Sequence, residues 1–342
     1  MSEEAASERD DVHADAGASA GQGQRARGKA PGMSRVQGAR LKESPKRLKE
    51  LNHNCHRALI QMVNDDIRSK DSMLIPAPVK RQLRQEAGFG CCKCGNPIFE
   101  YHHIVPDSEN VGDLMILCPI CHHEATVKAM TEEEQRFLKL HPHNIERGYA
   151  QGKLKISQKW PVVVIGTNQF VGDGNLVLVD EERLLSLQVD TSGRIELSVQ
   201  LYDPNDQQLA LIERNEWISG DPMPWDLESS FQWLRIRNES RHIALEINSR
   251  ELPIEIRADL WRKGQNFQLG PSQIKFNGII QGFQLMNLCL VGIRLVADTE
   301  SKQLRLVADP RFGEGALVSW PDPLERIAKG LEAWEKLRQR TE

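Results

Sequence analysis

The spacing of hydrophobic residues changes near the middle of the chain. Before residue 158 the periodic stretches have helical spacing, as in residues 79–87 and, less regularly, in residues 44–70. From Trp160 onward, apolar and polar residues alternate in short runs separated by Gly, Asn and Asp, which is typical of half-buried strands and turns. The clearest alternating runs are residues 195–201, 243–247, 252–256 and 304–306. The pattern predicts an α+β chain whose second half is mostly β.

Three segments of different composition follow one another along the 342 residues. Residues 1–45 are rich in small and charged side chains, and we predict a disordered tail there because they cannot bury enough apolar surface. The boundary between two folded domains is predicted near residue 158, which gives domains at residues 46–158 and 159–342. For the second domain a sandwich, a barrel and a solenoid all stay open. An amphipathic helix is predicted at its end, over residues 323–340.

The net charge of -4 conceals two opposite blocks near the N-terminus. Residues 1–20 carry six acidic side chains and one arginine, whereas residues 21–50 carry nine basic side chains and two acidic ones. A basic block attracts polyanions, but a solvated tail without a partner has the same composition. The apolar runs are too short to cross a bilayer and no secretion signal opens the chain, so we expect a cytoplasmic protein without membrane contact.

Four of the seven cysteines fall in two C-x-x-C pairs, Cys91/Cys94 and Cys118/Cys121, with 23 residues between the pairs. Two such pairs at this separation are typical of a tetrahedral zinc site with four thiolate ligands. We therefore predict that these four cysteines bind a structural Zn²⁺. A register that uses Cys92 with Cys94, and a group of buried free cysteines without metal, stay open as alternatives.

Two histidine pairs accompany the cysteines. His102 and His103 lie between the two C-x-x-C pairs, and His122 and His123 directly follow the second pair. The zinc site would bring a strand with the first pair close to a helix that begins near the second pair. One imidazole from each element can then share a divalent cation, while a neighbouring imidazole takes a proton from water. This composition indicates a metal-assisted hydrolase, although exposed histidines near a structural zinc would give the same pattern.

Taken together, the motifs of residues 75–130 resemble those of the HNH endonucleases, in the subset that carries an added four-cysteine zinc site. The matching runs are Cys91-x-x-Cys94-Gly, His102-His103-Ile-Val-Pro, Gly112-Asp113-Leu and Cys118-Pro-x-Cys121-His122. The resemblance implies a small ββα-metal module that bears zinc and is followed by the mostly-β domain. It also implies phosphodiester hydrolysis that depends on a catalytic divalent cation, for which we expect Mg²⁺ or Mn²⁺.

The same resemblance implies a role for each motif residue. His103 would be the general base that activates water, and His102 and His122 would bind the catalytic cation. Asp113 stands where many members of the family have an asparagine that fixes a loop, and an aspartate can accept such hydrogen bonds but cannot donate them. Position 126 is a threonine, which implies a site with two protein ligands. His123 receives no assignment.

The sequence therefore predicts an HNH-type endonuclease that cleaves DNA. Four basic residues beside the motif are expected to contact phosphates: Lys80, Arg81, Arg84 and Lys93. Residues 159–342 would bind an unknown ligand or protein and gate the nuclease, as in a defence or toxin-like effector, a hypothesis by analogy. The alternatives are a non-catalytic zinc-dependent nucleic-acid-binding or scaffold protein, an RNA-cleaving nuclease, and a β-domain whose main function is ligand binding.

Overall fold

The computed structural model of the chain describes residues 75–108, 110–280 and 282–340. Helices and one hairpin come first, strands follow from residue 150, and a long helix comes last. The chain is thus α+β, with strands predominating, as the hydrophobic pattern predicts. The tail predicted at residues 1–45 and the helical spacing at residues 44–70 lie outside the described residues.

The N-proximal elements are arranged around a short antiparallel hairpin. They are α1 (Ala77–Glu86), β1 (Glu100–His103), β2 (Leu114–Leu117), α2 (Pro119–Thr126), α3 (Glu132–Leu140) and α4 (His143–Arg147). In the hairpin, His102 lies opposite Met115 and His103 opposite Leu114. Tyr101 contacts α1 and the next residue, His102, contacts α2. Because successive side chains of a strand point to opposite faces, these two helices lie on opposite faces of the hairpin.

From residue 150 onward the strands form two sheets. The first sheet contains β3 (Ala150–Lys153), β6 (Gly174–Val179), β7 (Glu182–Val189), β8 (Ile195–Tyr202), β9 (Gln208–Glu213), β10 (Glu216–Ser219), β19 (Ile293–Asp298) and β20 (Gln303–Ala308). Its strand order is β20-β19-β6-β7-β8-β9-β10-β3. β3 precedes the predicted domain boundary near residue 158, yet it pairs with β10. The chain therefore enters the sheet soon after α4.

The second sheet contains the remaining strands. They are β4 (Val162–Ile165), β5 (Asn168–Val171), β11 (Asp226–Ser230), β12 (Trp233–Glu239), β13 (His242–Asn248), β14 (Ile254–Arg262), β15 (Gln265–Leu269), β16 (Ile274–Asn277), β17 (Phe283–Leu285), β18 (Cys289–Val291) and β21 (Ala316–Val318). The main order is β11-β12-β13-β14-β4-β5-β18-β21, and β15, β16 and β17 extend from β14. β11 is thus an edge strand.

Inward-facing side chains of the two sheets belong to one apolar core. In β8 buried and partly exposed residues alternate strictly, so that Ile195 and Leu197 enter the core while Glu196 does not. Leu260 of the second sheet belongs to the same cluster. Two sheets with a common core are the arrangement expected for a sandwich.

The predicted C-terminal helix is confirmed as α5 (Pro323–Gln339), which begins at the N-cap Asp322. Trp334 and Leu337 of this helix pack on Val171 and Cys289 of the second sheet. In the described ranges, no helix combines the length and the apolar character that crossing a membrane requires.

Candidate functional site

The four predicted zinc ligands come together in the structure. The sulfurs of Cys91, Cys94, Cys118 and Cys121 all lie within 4.8 Å of one another. The sulfur of Cys94 is 3.6 Å from that of Cys118 and 3.9 Å from that of Cys121. A tetrahedral zinc with Zn–S bonds of about 2.3 Å separates its sulfurs by about 3.8 Å. The cluster thus fits a metal ion such as zinc, and it uses Cys91 rather than Cys92.

The loop that carries Cys91 and Cys94 is shaped by a residue far along the chain. Gly95 has a φ of +73° and donates its amide to the carbonyl of Cys91 at 2.8 Å. The buried side-chain amide of Asn144, in α4, donates to the carbonyls of Gly88 and Gly95 at 2.9 and 3.3 Å. Any side chain at Gly95 would collide with Asn144. The cysteine spacing gives no sign of this contribution.

The second pair of cysteines lies at the start of a helix. Burial opposes the ionisation of Cys118, the N-cap of α2, but hydrogen bonds from Cys121 and from the thiol of Cys94 hold the pKa of Cys118 below its ordinary value. Burial raises the pKa of Cys94 to about 11, and it also raises the pKa of Cys121. A bound divalent metal supplies the positive charge that lets four neighbouring thiols ionise together.

β1 and α2 bring two of the four histidines together. The rings of His102 in β1 and His122 in α2 have centroids 4.9 Å apart, with their planes at 76°. Both rings are half-buried, whereas the neighbouring His123 is exposed. Two imidazoles at this separation can share one cation, which is the relation that the HNH resemblance implies for this pair.

Outer hydrogen bonds decide which nitrogen of His102 carries the proton. The amide nitrogen of Gln135, in α3, donates to the carbonyl of Met130 at 3.2 Å. The oxygen of the same amide therefore faces Nε2 of His102, at 2.9 Å. Since this oxygen can only accept, Nε2 must donate, and the lone pair of His102 is left on Nδ1.

A carboxylate plays the same part for His122. Nδ1 of His122 lies 2.6 Å from Oε2 of Glu100. When Nδ1 donates to this carboxylate, the lone pair of the His122 ring is on Nε2. Histidines that bind metals commonly donate their other ring N–H to an acceptor of this kind. The sequence reasoning missed both acceptors, Glu100 and Gln135.

The surroundings favour the uncharged form of His102. Burial lowers its pKa, and repulsion from His122 and His103 acts in the same direction, although the hydrogen bond to Gln135 opposes both. A neutral imidazole is the form that binds metal ions. His102 is thus in the metal-binding form near neutral pH.

His103 ends β1, directly beside His102. Its ring is half-buried and makes no hydrogen bond to any residue within the described ranges. Since none of the described side chains uses its nitrogens, the ring can offer either one to water or substrate, as a general base requires.

Asp113 holds the loop between β1 and β2. Its backbone carbonyl accepts from the amide of Ile104 at 2.7 Å, and its carboxylate accepts from the hydroxyl of Ser108 at 2.7 Å. The guanidinium of Arg136 lies 3.0 Å from the same carboxylate. The bond from Ser108 and the charge of Arg136 lower the pKa of Asp113. Each of these side-chain contacts needs an acceptor, so an aspartate serves here without the donor that an asparagine would add.

The four basic residues expected at the phosphates have different surroundings. Arg84 is buried and binds the carboxylate of Asp226, so it is excluded from the expected phosphate contacts. Lys93 is paired with Glu124. Arg81 lies over the ring of Trp225 at 4.4 Å, and Lys80 lies 5.4 Å from the centroid of the Tyr101 ring. For Lys80, Arg81 and Lys93, phosphate contact stays a prediction.

The tryptophans of the two-sheet region lie in different surroundings. Trp217 is buried in the core, whereas Trp225, Trp233 and Trp261 are half-buried at separate places. A cleft of about 1100 Å³ separates the Cys94 loop from β3 and β10. Its lining carries both signs of charge, including the ion pair of Lys153 with Glu216, so it favours neither an anion nor a cation.

Comparison with known proteins gives a plain result. No family model, curated protein or solved structure matches this chain.

Proposed function

We propose that this protein is a metal-dependent endonuclease of the HNH type that hydrolyses phosphodiester bonds in DNA. The observation that carries the proposal is the pair of His102 and His122, with rings 4.9 Å apart and one nitrogen of each ring held by an outer acceptor. The order β1, β2, α2 around this pair is the one that the resemblance implies for a ββα-metal module.

The residues divide the work of the proposed reaction among them. His102 would hold the cation through Nδ1 and His122 through Nε2, with Gln135 and Glu100 orienting the two rings. When bound, Mg²⁺ or Mn²⁺ supplies positive charge that polarises a phosphate oxygen. His103 would take the proton from the attacking water at a ring nitrogen. Asp113 would keep the loop after β1 in place through its bonds to Ser108 and Ile104.

The cysteine cluster would set the distance between the strand and the helix of the site. The amide of Cys92 donates to the carbonyl of Ile116 at 3.0 Å, which ties the first cysteine loop to β2. Cys118 begins the helix that carries His122. The two cysteine pairs would hold zinc between them, and α2 would thereby be fixed against the hairpin, a structural role rather than a catalytic one.

The non-catalytic scaffold is the main rival, and Asp113 is the residue that favours it. The side-chain contacts of Asp113 all need an acceptor, which removes most of that support. RNA is the rival substrate, because the site would bind a phosphate and has no identified contact for a 2′-hydroxyl.

The test is the cleavage of supercoiled plasmid by the zinc-loaded protein with Mg²⁺ or Mn²⁺. We expect nicking or linearisation, and a rate at least about 100-fold lower for His103→Ala, since general base catalysis typically contributes that much. His123→Ala is the matched control, because this exposed neighbour of His122 should be dispensable. Wild-type protein that holds zinc and does not cut, or His103→Ala that cuts equally, would count against the proposal. Matched RNA and DNA digested in parallel decide the substrate.

A further inference from the structure

A buried ion pair joins the two-sheet region to the hairpin. The guanidinium of Arg84, in α1, donates to both carboxylate oxygens of Asp226, in β11, at 2.9 and 2.7 Å. Its third nitrogen donates to the hydroxyl of Tyr101, in β1, at 2.7 Å. Arg84 is 8% exposed and Asp226 is 3% exposed. One chain of hydrogen bonds thus runs from the edge of the second sheet to the residue directly before His102.

Further contacts surround this ion pair. The side-chain amide of Gln85 donates to the backbone carbonyl of Trp225 at 2.5 Å, and Arg81 stacks on the ring of the same tryptophan. The hydroxyl of Ser229, also in β11, donates to the carbonyl of Pro97 at 3.0 Å. The edge strand β11 is therefore covered by α1 and by the segment that leads into β1. All these residues belong to one compact unit, Ser69–Glu342.

The ion pair contacts the hairpin on the face opposite to the one that carries the histidine pair. Tyr101 and His102 are neighbours in β1, so their side chains point to opposite faces. Tyr101 meets Arg84 on the α1 face, and His102 meets His122 on the α2 face. The two-sheet region thus supports the strand from behind and leaves the face of His102 and His122 uncovered by β11.

We infer that Asp226 is a positioning residue of the proposed nuclease site, acting through Arg84 and Tyr101 on the strand that carries His102 and His103. This inference rests on the proposed function. A charge buried without its partner is strongly unfavourable, so α1 and β11 stay together while the protein is folded. The two-sheet region would then stay attached to the hairpin throughout catalysis. Such a region is better suited to holding β1 in position than to gating access to the site.

The experiment compares full-length, zinc-loaded wild type with Asp226→Asn and Tyr101→Phe. Asp226→Asn leaves the Arg84 guanidinium without a counter-charge, and Tyr101→Phe removes only the last hydrogen bond of the chain. We expect amide hydrogen exchange of residues 99–104 to become at least about tenfold faster in Asp226→Asn and to change less in Tyr101→Phe, because exchange reports local opening. Plasmid cleavage should fall in the same order, with one zinc per chain retained.

Glu246→Gln is the matched control. Glu246, in β13, pairs with Arg235 inside the second sheet. Among the described residues of the hairpin region, none forms a hydrogen bond or ion pair with Glu246. It should leave both the exchange of residues 99–104 and the cleavage rate at wild-type values.

Unchanged exchange of β1 in both Asp226→Asn and Tyr101→Phe would overturn the inference, as would equal loosening in Glu246→Gln. If Asp226→Asn does not fold, Tyr101→Phe decides between these outcomes. Wild-type protein that never cuts DNA would defeat the proposed function, and the exchange of residues 99–104 would still show whether Asp226 holds the strand.

Discussion

The hairpin region, residues 75–147, and the two-sheet region, residues 150–318, are stabilised in different ways. The apolar cluster of the hairpin region is small, and its buried members include Cys91, Cys118 and Cys121. The two-sheet region has a large core to which both sheets contribute. A small core rarely offsets the entropy of ordering its chain, and a bound metal is a common remedy. We therefore expect the candidate chemistry to lie in the part of the fold that depends on bound zinc.

Loss of the metal should produce the largest difference in stability between the two regions. We expect Cys118→Ser to release zinc and to abolish the protection of the hairpin against hydrogen exchange, because structural zinc sites contribute about 10–16 kcal/mol at pH 7. Apart from β11, which α1 covers, the strands of the two-sheet region should keep their protection, because their core contains no ligand of the cluster. Zinc content per chain and exchange resolved by peptide measure both effects.

Cys92→Ala is the control for this loss. Cys92 is buried, as are Cys91, Cys118 and Cys121, but its sulfur lies outside the four-sulfur cluster. This variant should keep one zinc per chain. Equal loss of protection in both regions after zinc release would contradict the expectation that only the hairpin region depends on the metal.

A cavity in the large core should lower the stability of the two-sheet region without releasing zinc from the hairpin region. Leu260→Ala removes a fully buried side chain of β14 and should lower the free energy of unfolding by about 2–5 kcal/mol, as such truncations do. Zinc content under native conditions should not change. Leu306→Ala, at a position that is 38% exposed, should cost much less in the same denaturant titration. Zinc loss from the folded Leu260→Ala protein would show that the metal site depends on the sheet core.

The sequence predicts well those features that depend on residues at short, regular spacings along the chain. The two C-x-x-C pairs predict the cluster of Cys91, Cys94, Cys118 and Cys121 that the structure contains. Alternation predicts strands such as β8, and helical spacing predicts α5. In each case the physical cause acts within one element or between two short loops, so the residues that show the pattern also make the contacts.

The supporting residues of the site could not be predicted in this way. Gln135 reaches His102 from α3, and Asn144 reaches the Cys94 loop from α4, and neither belongs to a motif. For Arg84, the sequence pattern predicts a contact that the structure does not contain. Its position in a basic helix predicts phosphate contact, but a carboxylate in β11, 142 residues away, binds it instead. Such partners depend on tertiary contacts that one-dimensional spacing does not contain.

The outer acceptor of His102 offers a smaller test within the hairpin region. Gln135→Met removes the oxygen that fixes the His102 ring while keeping a side chain of similar length. We expect the affinity of the zinc-loaded protein for Mn²⁺ to fall about 10–100-fold, the usual effect of losing such a partner. Calorimetric titration with Mn²⁺ measures it. Gln82→Met, the same change at an exposed position in α1, should leave the affinity unchanged. Equal affinities for both variants would show that Gln135 does not orient a ligand.

The smallest expected effect lies at the start of the helix that carries Gln135. Thr131 caps α3: its hydroxyl accepts from the amide of Glu134 at 3.2 Å, and its own amide donates to the Glu134 carboxylate at 2.7 Å. Thr131→Ala should lower the free energy of unfolding by about 1 kcal/mol, and Thr131→Ser, which keeps the hydroxyl, by less. Bonds from the backbone and side chain of Thr131 lower the pKa of Glu134. Their stabilising effect is therefore complete above the ordinary carboxyl pKa and declines as the pH falls through the lowered one. A difference between the two variants that is the same in denaturant titrations at pH 7 and in strong acid would show that the Glu134 carboxylate adds nothing to the cap that the Thr131 hydroxyl provides.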